Sequence, residues 1–150
     1  MSASANDVGD HHRDISRGGS CRDVCVLFFS DTEWDWAAAE REFQRALELN
    51  PNDARTHVLY AIHLEFLGRM NEVFEHLRRA TEIDPLNLNG LDNLAEAYLY
   101  TRQYNRTIEE GKKIIEIDPT FANVHIHMSL AYLYSGKYDL WLDEWEKAAP

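Results

Sequence analysis

The stretch Asn50-Pro51-Asn52-Asp53 returns twice along the chain, as Asp84-Pro85-Leu86-Asn87 and as Asp118-Pro119-Thr120-Phe121. The prolines stand at 51, 85 and 119, a constant spacing of 34 residues. A fixed period of that size marks an array of repeated units stacked side by side. Each proline must stop a helix, because its ring fixes φ and it has no N–H to donate. The Asn or Asp before it is pushed out of the α region and suits a turn. The sequence therefore predicts helix pairs punctuated by one recurring turn.

Frames of 34 residues begin at Ser20, Ala54, Leu88 and Ala122. Their eighth position holds Leu27, Ala61, Ala95 and Ser129, and their eleventh Ser30, Leu64, Tyr98 and Tyr132. The twentieth holds Ala39, Val73, Thr107 and Trp141; the twenty-fourth holds Phe43, Leu77, Gly111 and Trp145. Small residues let two helices approach, and aromatic neighbours fill the remaining space. Helices are expected over 54–67, 70–83, 88–101, 104–117, 122–135 and 138–148. A further one begins near Asp31 or Thr32, either of which can cap it, and runs through Ala37 to Leu47. Gly68 and Gly136 stand where a left-handed residue commonly ends a helix. Gly111 lies mid-helix and costs about 1 kcal/mol against alanine. Either a neighbour fills its space, or the third repeat is loose there.

This pattern resembles the tetratricopeptide repeat family, with its small residues at positions 8, 20 and 27, aromatics at 11 and 24, and proline at 32. The resemblance covers residues 33 to 150. It implies an all-α, right-handed solenoid of antiparallel helix pairs. Residues 1–20 are expected to form a disordered tail. Residues 21–53 make a partial repeat, followed by full repeats at 54–87 and 88–121 and a last one at 122–150. The run Glu33-Trp34-Asp35-Trp36-Ala37, continuing to Ala39-Glu40-Arg41-Glu42-Phe43, is similar to repeats in the C-terminal sensor parts of bacterial regulators. Those regulators begin with a winged-helix or nucleotidyl-cyclase domain. That likeness implies a regulatory fragment acting by self-association, an alternative to a binding scaffold.

Composition narrows the partners. The 150 residues carry a net charge of −11. Nucleic-acid binders need a basic face to displace counterions, and anionic membranes attract basic segments, so neither partner is expected. No apolar run reaches membrane-spanning length, and the polar segment 1–13 does not read as a secretory signal. A cytoplasmic location follows. His11, His12, Cys21 and Cys25 invite a zinc reading, but their spacing matches no structural zinc pattern. His57 and His125 both stand at position four of their frames and read as packed residues. His125 and His127 are two apart and point to different faces of a helix, so they cannot chelate one ion. No phosphate loop, zinc-helix motif or Ser/His/Asp order is present, so neither an enzyme nor a cofactor is expected.

Helical spacing places His57, Tyr60, Ala61 and Leu64 on one face of the 54–67 helix. It leaves a second apolar stripe of Val58, Ile62 and Phe66. The family resemblance implies that this second stripe lines a concave surface. The same frame adds Asp92, Asn93 and Glu96 from repeat three, and Ile126, His127, Leu130 and Tyr134 from repeat four. The expected groove is apolar at both ends with a carboxylate pair between. It suits a protein or peptide segment with apolar anchors and a Lys or Arg. The family's clamp for a terminal carboxylate is not expected. Its positions hold Val58, Ile62, Asn93, Asn123 and His127, of which only Asn93 matches. Trp141 and Trp145 near the C-terminus suggest a homodimer surface or a folded-down end.

Overall fold

The computed structural model describes residues 36–148. The expectations for the tail at 1–20, the short apolar piece at 22–30, the capping residues Asp31 and Thr32, and the His11, His12, Cys21 and Cys25 set lie outside the described residues. Among the described residues there are seven α-helices and no strand. They are α1 (Trp36–Leu49), α2 (Ala54–Phe66), α3 (Met70–Ile83), α4 (Leu88–Tyr100), α5 (Tyr104–Ile117), α6 (Ala122–Tyr134) and α7 (Tyr138–Ala148).

The proline turns are built alike. The residue before each proline donates its N–H to the helix just ended, Asn50 to Ala46, Asp84 to Ala80 and Asp118 to Ile114, at 2.8–2.9 Å. Its side-chain oxygen accepts from the N–H two residues on, at Asn52, Leu86 and Thr120. Its carbonyl accepts from the N–H three residues on, at Asp53, Asn87 and Phe121. The proline therefore sits where no donor is needed. Asp53 and Asn87 then cap the next helix, accepting from the N–H groups of Arg55 and Gly90. At the opposite end of each pair, Gly68, Arg102 and Gly136 hold equivalent positions with φ of 72°, 60° and 76°. Only Arg102 carries a side chain there.

Packing follows the repeat. The eighth-position residues Ala61, Ala95 and Ser129 are each at most 1% exposed, where paired helices cross. Phe43, Leu64, Val73 and Leu77 centre one core cluster, and Ile114, Val124 and Met128 centre a second. Gly111 is not a loose spot. A Cβ there would lie 2.6 Å from the Met128 side chain and 3.1 Å from Val124, so Met128 occupies the space a side chain would need.

Two outcomes follow for thermal unfolding. Arg102→Gly relieves a left-handed residue and raises stability by about 0.5–1 kcal/mol. Gly111→Ala lowers it, because overpacking of about 1–3 kcal/mol outweighs a helix-propensity gain of about 1 kcal/mol. In a double-mutant cycle, Met128→Ala removes most of the Gly111→Ala penalty.

Candidate protein-interaction groove

Neighbouring first helices touch one another directly, α2 with α4 and α4 with α6, while the second helices pack chiefly against first helices. The stack therefore curves with α2, α4 and α6 on its inner side. Their unshared faces make one continuous surface.

The N-terminal part of that surface is apolar and graded. Val58 is buried, Ile62 is half-buried against the first core cluster, and Phe66 is 69% exposed with its ring 6.0 Å from that of Trp36. Between α2 and α4 lies a cavity of about 480 Å³ lined by Val58, Leu59 and Ile62, with Arg55, Asn87, Asn89 and Asn93 around it. Asn93 is fixed by donating to the Asn89 carbonyl at 2.7 Å. At the other end Leu130 is half-buried on the second cluster, Ile126 is at the surface, and Tyr134 is exposed with its ring 5.9 Å from that of Tyr104.

The middle is polar and crowded. His127 Nδ1 meets Asp92 Oδ1 at 3.0 Å, and its Nε2 lies 3.9 Å from Glu96. The Tyr100 hydroxyl donates to Glu96 at 2.8 Å. Glu65 of α2 faces the same group. Burial, and then the charge of Glu96, push the Glu65 carboxyl up to about 7, while His127 pulls it the other way. Burial alone lowers the His127 imidazole. The Asp92 hydrogen bond and the charges of Asp92, Glu96 and Glu65 outweigh it, so its pKa is raised. The bond to Glu96 leads in pushing the Tyr100 hydroxyl up to about 12. Three carboxylates and one imidazole thus share a half-dry patch from three successive repeats.

Nine of the groove residues expected from sequence fall into three classes. Phe66, Ile126 and Tyr134 are open to a partner. Ile62, Asn93, Glu96 and Leu130 are half-buried. Val58 and Asp92 are buried, Val58 as floor and Asp92 as the fixed partner of His127. Ile62→Lys and Leu130→Lys would therefore strain the cores as well as the groove; Phe66 and Ile126 are the cleaner positions to alter. Glu65, Tyr100 and Arg55 were not singled out by the frame. Glu65 stands one position from the apolar stripe, while Arg55 and Tyr100 lie three and four positions from Val58 and Glu96, in line with them on the helix. His57 and His125 lie away from the groove: His57 meets His76 at 2.9 Å, and His125 meets Glu144 of α7 at 2.6 Å. Trp141 is half-buried against the second cluster, while Trp145 is half exposed. Among the described residues no group of three or more His, Cys, Asp or Glu is arranged to hold a metal ion. Nor is any of their helices long and apolar enough to cross a membrane.

Proton titration of the imidazoles by NMR checks this electrostatic picture. His127 titrates above the ordinary histidine range and His76, whose pKa burial lowers, below it. Asp92→Asn brings His127 down. The linkage has a sign: His127, with a raised folded pKa, contributes stability that is full below its unfolded value and is lost as pH rises through the folded one. The same variant therefore costs more stability at pH 6 than at pH 9.

No family model and no curated protein matches the sequence. Solved structures do resemble the fold. A crystal structure of MamA superposes with a TM-score of 0.69 at 20% identity, over 76% of this chain and 67% of that one. TTC0263, a thermophilic TPR protein of Thermus thermophilus, gives 0.68 at 24% identity over 75% of this chain. YrrB, described as a TPR protein with an unusual peptide-binding site, gives 0.68 at 17% identity over 75% of this chain. The chain spans 64% of the TTC0263 structure and 58% of the YrrB structure. Repeat period, helix pairing and these superpositions agree: the chain has the tetratricopeptide-repeat fold, an all-α right-handed solenoid.

Proposed function

We propose that the inner surface of α2, α4 and α6 binds an extended or helical segment of a partner protein. The chain would act as an interaction scaffold without catalysis of its own. The observation that carries this reading is the sequence of surfaces along the groove. Apolar positions ending in exposed Phe66 lie at one end, the Glu65, Asp92, Glu96 and His127 patch in the middle, and Ile126 and Tyr134 at the other end. Exposed apolar patches with a polar interruption are where peptides dock. The description of YrrB as peptide-binding adds support from a structure of the same fold.

The chemistry specifies the segment. Two apolar anchors fit the ends, one of them the cavity over Val58, Leu59 and Ile62. A Lys or Arg between them reaches Glu65 and Glu96. Asp92 is already held by His127, so it orients that imidazole rather than the ligand. An arriving cation favours ionised Glu65, so binding releases protons when the pH is near or below 7. Raising the pH also discharges His127, which makes the patch more negative. Both effects tighten binding of a basic segment as pH rises from 6 to 8.

The test is selection from a random peptide library displayed on phage, followed by calorimetry on the winners. The expected winners carry a Lys or Arg flanked by apolar residues. Their affinity increases from pH 6 to pH 8 and falls about tenfold or more in Glu96→Gln or Phe66→Ala. Winners that lack a basic residue, or that bind equally well to both variants, would overturn the reading.

A further inference from the structure

Each second helix of the array receives the first helix of the following repeat. On α3 the seat includes Phe74 and Leu77: the Phe74 ring lies 4.9 Å from that of Tyr98 on α4, and Leu77 is 1% exposed. On α5 the seat includes Ile108, 7% exposed, and Gly111, against which Met128 of α6 is packed. The residues 34 positions further on are Leu142 and Trp145 of α7. Both are 50% exposed, as is much of Tyr138 beside them. The seat filled on α1, α3 and α5 is therefore presented a fourth time, on α7, and no helix among the described residues covers it.

The seats differ in charge. At 100° per residue, positions 71, 75 and 78 border the α3 seat on its flank away from the helix's own partner. They are Asn71, Glu75 and Arg78. On α5 they are Asn105, Glu109 and Lys112. Glu82 and Glu116 lie on the same flanks, and on α1 the equivalent residues are Ala37, Arg41, Gln44 and Glu48, so each filled seat has one base on that flank. On α7 the same positions hold Asp139, Asp143 and Glu146, all exposed. The single basic residue of α7, Lys147, is bonded to Glu144 at 2.9 Å, on the side toward α6.

We infer that the outer face of α7 seats an amphipathic helix of another protein that carries basic residues along one edge. The apolar stripe of Tyr138, Leu142 and Trp145 takes its apolar face, and Asp139, Asp143 and Glu146 pair with its basic edge. A second copy of this chain is the poorer occupant. Symmetric pairing of two α7 helices would set the three carboxylates of one against those of the other, in a chain of net charge −11. This surface lies on the outer end of the stack and is separate from the groove on α2, α4 and α6.

The probe is a synthetic helix of Leu, Ala and Lys with Leu at amphipathic spacing, and a twin with Glu in place of Lys. Binding is followed by fluorescence anisotropy of the labelled peptide, with helicity of each protein variant checked by circular dichroism. The Lys helix is expected to bind and the Glu twin to bind about tenfold or more weakly. The measurements are made in a Phe66→Ala, Glu96→Gln background, which disables the groove; there Leu142→Glu combined with Trp145→Glu abolishes the remaining binding. Asp143→Lys with Glu146→Lys, which touches no buried residue, reverses the preference between the two peptides. The inference is overturned if, in that background, the Lys helix fails to bind, if the twin binds equally well, or if the α7 variants leave binding unchanged. Sedimentation showing a dimer that Leu142→Glu dissolves would also overturn it, in favour of a second copy.

Discussion

A proline that cannot donate a backbone hydrogen bond, placed every 34 residues, is the constraint on which the array depends. At each site the chain turns so that the missing donor faces no acceptor, and the preceding Asn or Asp satisfies the N–H groups that remain. Because the three turns share one hydrogen-bond pattern, the helices they join meet in one geometry. Every residue then has a counterpart one period away in the same surroundings. Stability in such a stack passes from neighbour to neighbour, without contacts between its distant ends.

Equal surroundings need not hold equal chemistry. His57 and His76 pair between α2 and α3, and the equivalent pair between α6 and α7 is His125 and Glu144. His57 Nε2 lies 3.1 Å from the Pro51 carbonyl, so that nitrogen donates. Of the two Nδ1 atoms, 2.9 Å apart, one donates and the other accepts, so at least one ring of the pair is neutral. Burial, reinforced by the charge of His57, keeps the His76 pKa low. In the last repeat a carboxylate replaces the second imidazole. Burial works against Glu144 ionising, but bonds from His125 and Lys147 outweigh it and lower its pKa. The same crossing is thus closed by two imidazoles in one repeat and by an acid with its donors in another.

This equivalence explains what could be read from sequence. Helix limits depend on turn residues at fixed offsets, so they were legible to within about one residue at α2 through α7. Which face of each first helix turns inward was legible too, because one period sets it for all repeats. Depth within the face was not. Val58, Ile62 and Phe66 lie on one stripe, yet they run from buried to 69% exposed; Gly90 of α4 comes close to Val58, where an added Cβ would lie 3.5 Å away. Glu65 escaped notice for a related reason. Its elevated pKa comes from burial and from Glu96, both contributed by other repeats, and a one-dimensional pattern does not record how far the superhelix brings those repeats together. Asp92 and Glu96 were visible as a pair, but their division of labour, one holding His127 and the other left toward the groove, required the His127 rotamer.

Gly111 shows how the seats between repeats are matched. A mid-helix glycine reads as a weakness in isolation, but its missing side chain is the space that Met128 fills. In close-packed interiors, volume lost on one side of a contact is gained on the other. The counterparts of Gly111 vary widely: Phe43 is stacked on Tyr60 and Leu77 is buried in the first cluster, whereas Trp145 is half exposed. At Trp145 the large member of the pair lies on the solenoid. A helix seated there as α6 is seated on α5 meets a bulky side chain where Met128 meets a glycine. Phe43, the counterpart of Trp145 on α1, is stacked on Tyr60 of α2 with ring centroids 5.2 Å apart, so an occupant of the outer seat brings either a small residue or a flat ring to that crossing. The shape of the outer face thus restricts its occupant independently of the charges beside it.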